Sequence, residues 1–258
     1  MLGPAAASAL TRETGAELAN FLAVLADNRY FLGRRVSEWI IKAPALEQGV
    51  ACAAIAGEEM GFARVLYGLL EQISAPDKPV PLVTGADREQ RYCVSYLDHP
   101  FDSWAMVVTA LAVIDPALTV MCEVAARSPY NPLAVRAGRI LDEESFHDRY
   151  AVGRLHDAAS RAEVASRVQA GIDEVWPEMV MWFGREDSTR WPALTQAGII
   201  PKLDGPAETY ESRVAARLEE TGFNVPAETM RRPEELTWDL WDPVTRRLRI
   251  RKGVEAGS

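Results

Sequence analysis

The chain has 258 residues, 48% of them apolar and 25% charged, with 37 acidic against 28 basic side chains and a formal charge of −9. That is the make-up of a globular protein with enough chain for one large buried core. The acidic balance argues against a nucleic-acid partner, which needs a concentrated basic surface. The one basic cluster, Arg246, Arg247, Arg249, Arg251 and Lys252, reads as a solvated tail or a subunit contact.

Cys52, Cys93 and Cys122 are odd in number and have no CxxC spacing. Two of them lie in apolar helical context, where a thiol behaves as a small hydrophobe. The expectation is a reducing, cytoplasmic setting without a disulfide framework. Met1 to Leu10 is Ala-rich but lacks a basic stretch before a long apolar run, so a signal peptide is not expected. Nor is a membrane span, since no uninterrupted apolar run approaches the roughly 18 residues one needs.

Thr14 with Glu17 forms a candidate capping box. From there Leu18, Phe21, Leu22, Leu25, Tyr30, Leu32, Val36, Trp39 and Ile40 recur mostly at three- and four-residue spacings, predicting a helix that ends at Pro44. A second helix is predicted over 46–73, followed by a Pro-rich loop over 74–79 and a mixed segment to Pro100 with room for a short helix. The third helix runs from Asp102 or Ser103 to Ala126, with Pro116 predicting a kink. The turn Ser128-Pro129-Tyr130-Asn131-Pro132 opens a fourth helix of roughly 25 residues, on the order of 38 Å long, reaching Ala159. A fifth spans 161–183, bent near Pro177, and a shorter one spans 207–220 before an irregular tail. No segment alternates like a strand. The expectation is one all-α domain over 1–258, with a core bundle over about 14–185 and an extension beyond it.

The sharpest motif is Leu141-Asp142-Glu143-Glu144-Ser145-Phe146-His147. Glu144 and His147 are three apart on a helix and share a face, so both can ligate one ion. An oxygen-rich shell with one imidazole per metal suits iron that activates dioxygen. A carboxylate di-iron bundle uses two such ExxH pairs and one carboxylate from each other helix. The second helix repeats the paired glutamates as Glu58-Glu59, but Phe62 stands where the second histidine belongs. In the third helix Asp115 lies in an apolar run, as a ligand or as an exposed or capping group beside Pro116. In the first helix Arg29 falls between Asp27 and Glu38. Pointing inward, its guanidinium would neutralise Glu59 or Glu144 as a cation does. This pattern gives the expected fold, a ferritin-like four-helix bundle with additional C-terminal helices.

Other groups read more plainly. His99 and His156 are expected at the surface, Trp176, Trp182 and Trp191 as core or interface anchors, and Arg34-Arg35 on a solvated face. No phosphate loop, Ser-His-Asp arrangement or zinc-spaced cysteine set points to an organic cofactor or to hydrolytic chemistry.

The block 103–150, with Glu143-Glu144-Ser145-Phe146-His147 and Ser128-Pro129-Tyr130, resembles the catalytic subunit of bacterial phenylacetyl-CoA epoxidases. The stretches Leu25-Ala26-Asp27-Asn28, Leu32-Gly33-Arg34-Arg35 and Ser37-Glu38-Trp39 are more similar to that complex's non-catalytic ferritin-like subunit. The resemblance covers residues 18–225. It implies a cytoplasmic multicomponent system that oxidises the aromatic ring of a CoA thioester at a di-iron centre. Carried over by position, the metal ligands are Glu59, Asp115, Glu144 and His147, with Arg29 and Phe62 in place of the two missing ones. The resemblance therefore implies a scaffold-type subunit with a degenerate site and one iron or none. It would pair with itself or with a homologous ferritin-like subunit. The alternatives are a divergent oxygenase acting on an aromatic acyl-CoA through a metal on Asp115, Glu144 and His147, and a metal-free protein that binds an acyl-CoA.

Overall fold

A computed structural model describes residues 10–73, 91–183, 191–202, 204–226 and 240–248. In chain order the helices are α1 (Arg12–Ser37), α2 (Leu46–Gln72), α3 (Trp104–Ala126), α4 (Asn131–Glu143), α5 (Ser145–Ala159), α6 (Ala162–Phe183), α7 (Pro192–Gln196) and α8 (Asp204–Thr221). A 3-10 turn at Ser95–Leu97 supplies the short helix expected before Pro100. The Pro-rich 74–79 segment lies outside the described residues.

The architecture is the expected all-α ferritin-like bundle. Helices α1 and α2 pair along much of their length, and α3 packs against α1 and α4. Helices α6 and α8 cover α3 and α5 from outside. On α2 the buried stripe runs Cys52, Ile55, Ala56, Glu59, Phe62, Ala63, Leu66, Leu69 and Leu70, which is the helical repeat. Helix α1 is buried on every face from Phe21 to Arg29, so the polar groups there are enclosed by protein. Trp176, Trp182 and Trp191 are core residues, as expected, and His99 and His156 are exposed.

Several boundaries differ from expectation, each for a local reason. Thr11 caps α1, its Oγ1 accepting from the Thr14 amide at 3.1 Å. Glu17 instead accepts from the Leu194 amide at 3.0 Å and ties α7 to α1. Helix α1 ends at Ser37, well before Pro44, because the chain from Glu38 coils back onto the start of α2. A Cβ on Gly49 would lie 2.4 Å from the Ile40 carbonyl oxygen, so only glycine admits that approach.

In α3 the irregularity precedes Pro116, as a π-helical turn over Ala110–Ile114. Proline has no N–H to offer the Ala112 carbonyl. Helix α8 makes good the deficit: Arg217 Nη1 donates to Ala112 O at 3.3 Å, and the Tyr210 hydroxyl donates to Val113 O at 3.0 Å. By length and apolar content Trp104–Ala126 is the one described helix that matches a membrane span, but 89% of its most apolar window is buried inside the bundle. The expected fourth helix is two, α4 and α5, interrupted at Glu144. Helix α6 runs on through Pro177.

The start of the basic cluster belongs to the fold, correcting the tail reading for two of its members. Arg246 is buried with its guanidinium 4.7 Å from the Trp191 ring centre, and Arg247 pairs with Asp98. Both lie at a short antiparallel pairing of Trp241–Asp242 with Arg247–Leu248. Arg249, Arg251 and Lys252 lie outside the described residues. Arg35 is likewise buried, 3.1 Å from Glu38, so only Arg34 of that pair faces solvent.

Candidate functional site

Four helices bring their charged residues to one point. Arg29 (α1), Glu59 (α2), Asp115 (α3), Glu144 (the α4–α5 break) and His147 (α5) are each at most 5% exposed. Their positions follow from the helical repeat. Arg29 lies four residues after Leu25, and Glu59 four after Ile55, both on buried stripes. Gly33, one turn beyond Arg29, lets the two helices close: a Cβ there would meet the Glu59 Cβ at 3.0 Å. The Glu144 break is a tightened turn, with the His147 amide bonded to Glu144 O at 3.1 Å. Residues three apart eclipse in such a turn, which puts Glu144 and His147 over the same spot.

Arg29 points inward and is the hub. Its Nη1 donates to Glu59 Oε1 at 2.7 Å and to Asp115 Oδ1 at 3.0 Å, and Nη2 contacts Glu144 Oε1. The forked, planar guanidinium serves three carboxylates at once. Its Cζ lies 5.5 Å from the Phe62 ring centre, a favourable cation–π placement. His147 is the second cation. Its Nδ1 lies 3.3 Å from Glu59 Oε1 and 3.4 Å from Asp115 Oδ2, and Nε2 is 2.7 Å from Glu58 Oε2.

Burial and these neighbours set the protonation states. Burial alone would favour neutral His147, but the hydrogen bonds and charges of Asp115 and Glu59 outweigh it and lift the imidazole to about 11. Burial likewise opposes an ionised Asp115, and His147 with Arg29 reverses that, holding the carboxyl below its usual range. Glu144 goes the other way. Its burial, with the nearby Asp115 and Glu59 charges, prevails over Arg29 and raises it to about 7. Arg29 loses hydration on burial, yet Glu144, Glu59, Cys122 and Asp115 hold it charged, its pKa raised well above the ordinary value.

All four expected ligand positions are thus brought together with the two residues expected to replace ligands, and Asp115 is buried within the cluster. Among the described residues, the set whose ligand atoms lie within 4.8 Å of one another is Glu59, Asp115 and His147. Glu144 turns to Arg29 and is outside that set. Two partners went unread in the sequence. Glu58 receives His147, for which its place beside Glu59 was the only signal. Cys122, two turns beyond Asp115 on α3, lies with its Sγ 3.7 Å from Arg29 Nη2.

A di-iron centre does not fit these residues. The guanidinium stands, fully buried, among the three carboxylates that would hold the metals. Phe62 fills the other gap, its ring 6.3 Å centre-to-centre from His147, and a phenyl ring offers no ligand atom.

A family model described as phenylacetic acid catabolic protein matches residues 4–252. The chain is 24% identical over 205 residues to the C subunit of 1,2-phenylacetyl-CoA epoxidase from Escherichia coli (strain K12), covering 79% of this chain and 82% of that protein. It is 27% identical over 150 residues to the same enzyme's A subunit, covering 58% of this chain and 48% of that one. It therefore spans most of the length of the first relative and about half of the second. With its family model matching nearly end to end, the chain belongs to the phenylacetic acid catabolic protein family.

Proposed function

We propose that this chain is a non-catalytic, scaffold-type subunit of a phenylacetyl-CoA-epoxidase-like multicomponent oxygenase, in which a buried arginine takes over the charge role of the metals. The observation that carries the reading is Arg29, fully buried and shared by Glu59, Asp115 and Glu144. Three carboxylates cannot stay buried together without compensating charge. A guanidinium and an imidazolium supply it from within the chain, so the bundle holds its shape with no ion to load or lose. The similarity to the epoxidase's C subunit, over most of that protein's length, supports a partner role beside a homologous catalytic chain.

The test is reconstitution with a homologue that carries both ExxH pairs, together with a reductase. Phenylacetyl-CoA turnover should require both ferritin-like chains and stay within about twofold when His147→Gln is made in this one. Abolished turnover in an intact His147→Gln complex would refute the scaffold assignment.

A second reading has one observation in its favour. Glu59, Asp115 and His147 converge closely enough for one ion, so a divergent metal-dependent oxygenase acting on an aromatic acyl-CoA is the alternative. In that reading these three would hold the metal, and iron would supply dioxygen activation. The same reconstitution separates the two, because that oxygenase fails without His147.

A further inference from the structure

A cleft of about 630 Å³ opens between α3, the α4–α5 break and α8, and its lining includes Asp115 and Glu144. Within the cluster Glu59, Arg29 and His147 are 0–1% exposed, whereas Asp115 and Glu144, which line this cleft, keep 4–5%. Glu144 meets Arg29 through Oε1, while its buried Oε2 has no hydrogen-bond partner. The cations of the cluster are also spread thin: Arg29 serves Glu59, Asp115 and Glu144, His147 is shared by Glu59, Asp115 and Glu58, and Arg217, which acts on Asp115, is itself paired with Asp148. A buried carboxylate oxygen without a donor is costly, and a cation reaching it from the cleft would satisfy it.

The walls narrow the kind of cation. Leu111, Pro116, Leu141 and Val152 give the cleft an apolar side. Of its two arginines, Arg213 is paired with Glu123 at 3.0 Å and Arg217 with Asp148 and the Ala112 carbonyl, so neither is free for an anion. Glu220 adds a further acid to the lining. A bare metal ion leaves the apolar walls unused, and a CoA ester, with its phosphates, meets excess negative charge. We propose that this cleft binds a small organic ammonium with an apolar body, its charged head on Glu144 and Asp115 and its body against Leu111, Leu141 and Val152. The inference rests on the metal-free reading of the cluster above.

The test uses the full chain dialysed against chelator, with iron measured in the same sample, and calorimetric titration of a matched pair of probes. 3-Phenylpropylammonium should bind at least about tenfold tighter than 3-phenylpropionate, which has the same ring and reach but the opposite charge. Ala216→Trp on α8 blocks the cleft without touching the cluster, and should weaken binding about tenfold or more while leaving the thermal midpoint unchanged. Glu144→Gln should weaken it as well. Equal binding of both probes, binding of neither, or full affinity in Ala216→Trp overturns the proposal. Stabilisation by magnesium or potassium chloride with no heat from the ammonium overturns it in favour of an inorganic ion site. Retained iron refutes the metal-free reading and is read separately from the titration.

Discussion

Replacing Arg29 by methionine removes one of two cations from a cluster that buries three carboxylates. The methionine nearly fills the volume, so the loss is electrostatic and not a cavity. Breaking a buried ion pair by removing one partner costs about 3–5 kcal/mol, because the other charge stays buried without compensation. Here three carboxylates lose their common partner, which argues for the upper part of that range. Glu144 offers some relief: raised to about 7 already, it takes up a proton readily. The expected loss at pH 8 is therefore about 3–5 kcal/mol, and smaller at pH 6. For a chain of this size that amounts to roughly 6–20 °C in thermal midpoint. Urea denaturation of wild type and Arg29→Met at both pH values checks it. A variant within about 1 kcal/mol of wild type at pH 8 would refute the claim that the guanidinium compensates the carboxylates.

Stability should fall as pH rises above mildly acid values. His147 is raised from 6.5 to about 11, so its contribution is complete below 6.5 and lost on the way to 11. Glu144, raised from 4.5 to about 7, acts in the same direction over its own interval. The urea midpoint should be higher at pH 6 than at pH 9, and His147→Gln should flatten the difference; an unchanged slope would contradict the assignment. Tyr210→Phe removes the donor to Val113 O beside the π turn, and should cost about 1–2 kcal/mol by the same assay. Gly33→Leu forces side-chain atoms against the Glu59 Cβ and the Ala56 carbonyl oxygen and should cost about 1–3 kcal/mol. Wild-type stability in that variant would show that α1 and α2 do not need their close approach.

The parts of the fold that depend on local repeat were legible in the sequence. Helix α2 begins at Leu46 and ends within a residue of the expected place, since its apolar stripe and the Pro-rich stretch after it are both local signals. The α1 terminus was not, because what stops it is the contact between the Ile40 carbonyl and Gly49, remote in the pattern. The Glu144 break was invisible for a related reason: a three-residue spacing reads the same in an α turn and in a tightened one. Pro116 signalled an unpaired carbonyl, but its partner Arg217 lies a hundred residues on and carries no mark of that task. At the site, Arg29 could be placed because its register matches carboxylates on other helices. Glu58 escaped because its side chain is partly exposed and engages only through the far ring nitrogen of His147.

Iron content after anaerobic loading and desalting tests the central claim most directly, with wild type measured beside Arg29→Glu/Phe62→His, which restores a carboxylate and an imidazole to the cluster. The account predicts wild type with far less than one iron per chain, its stability unchanged by loading, and uptake in the double variant. Near-stoichiometric iron in wild type that disappears in His147→Ala would contradict it.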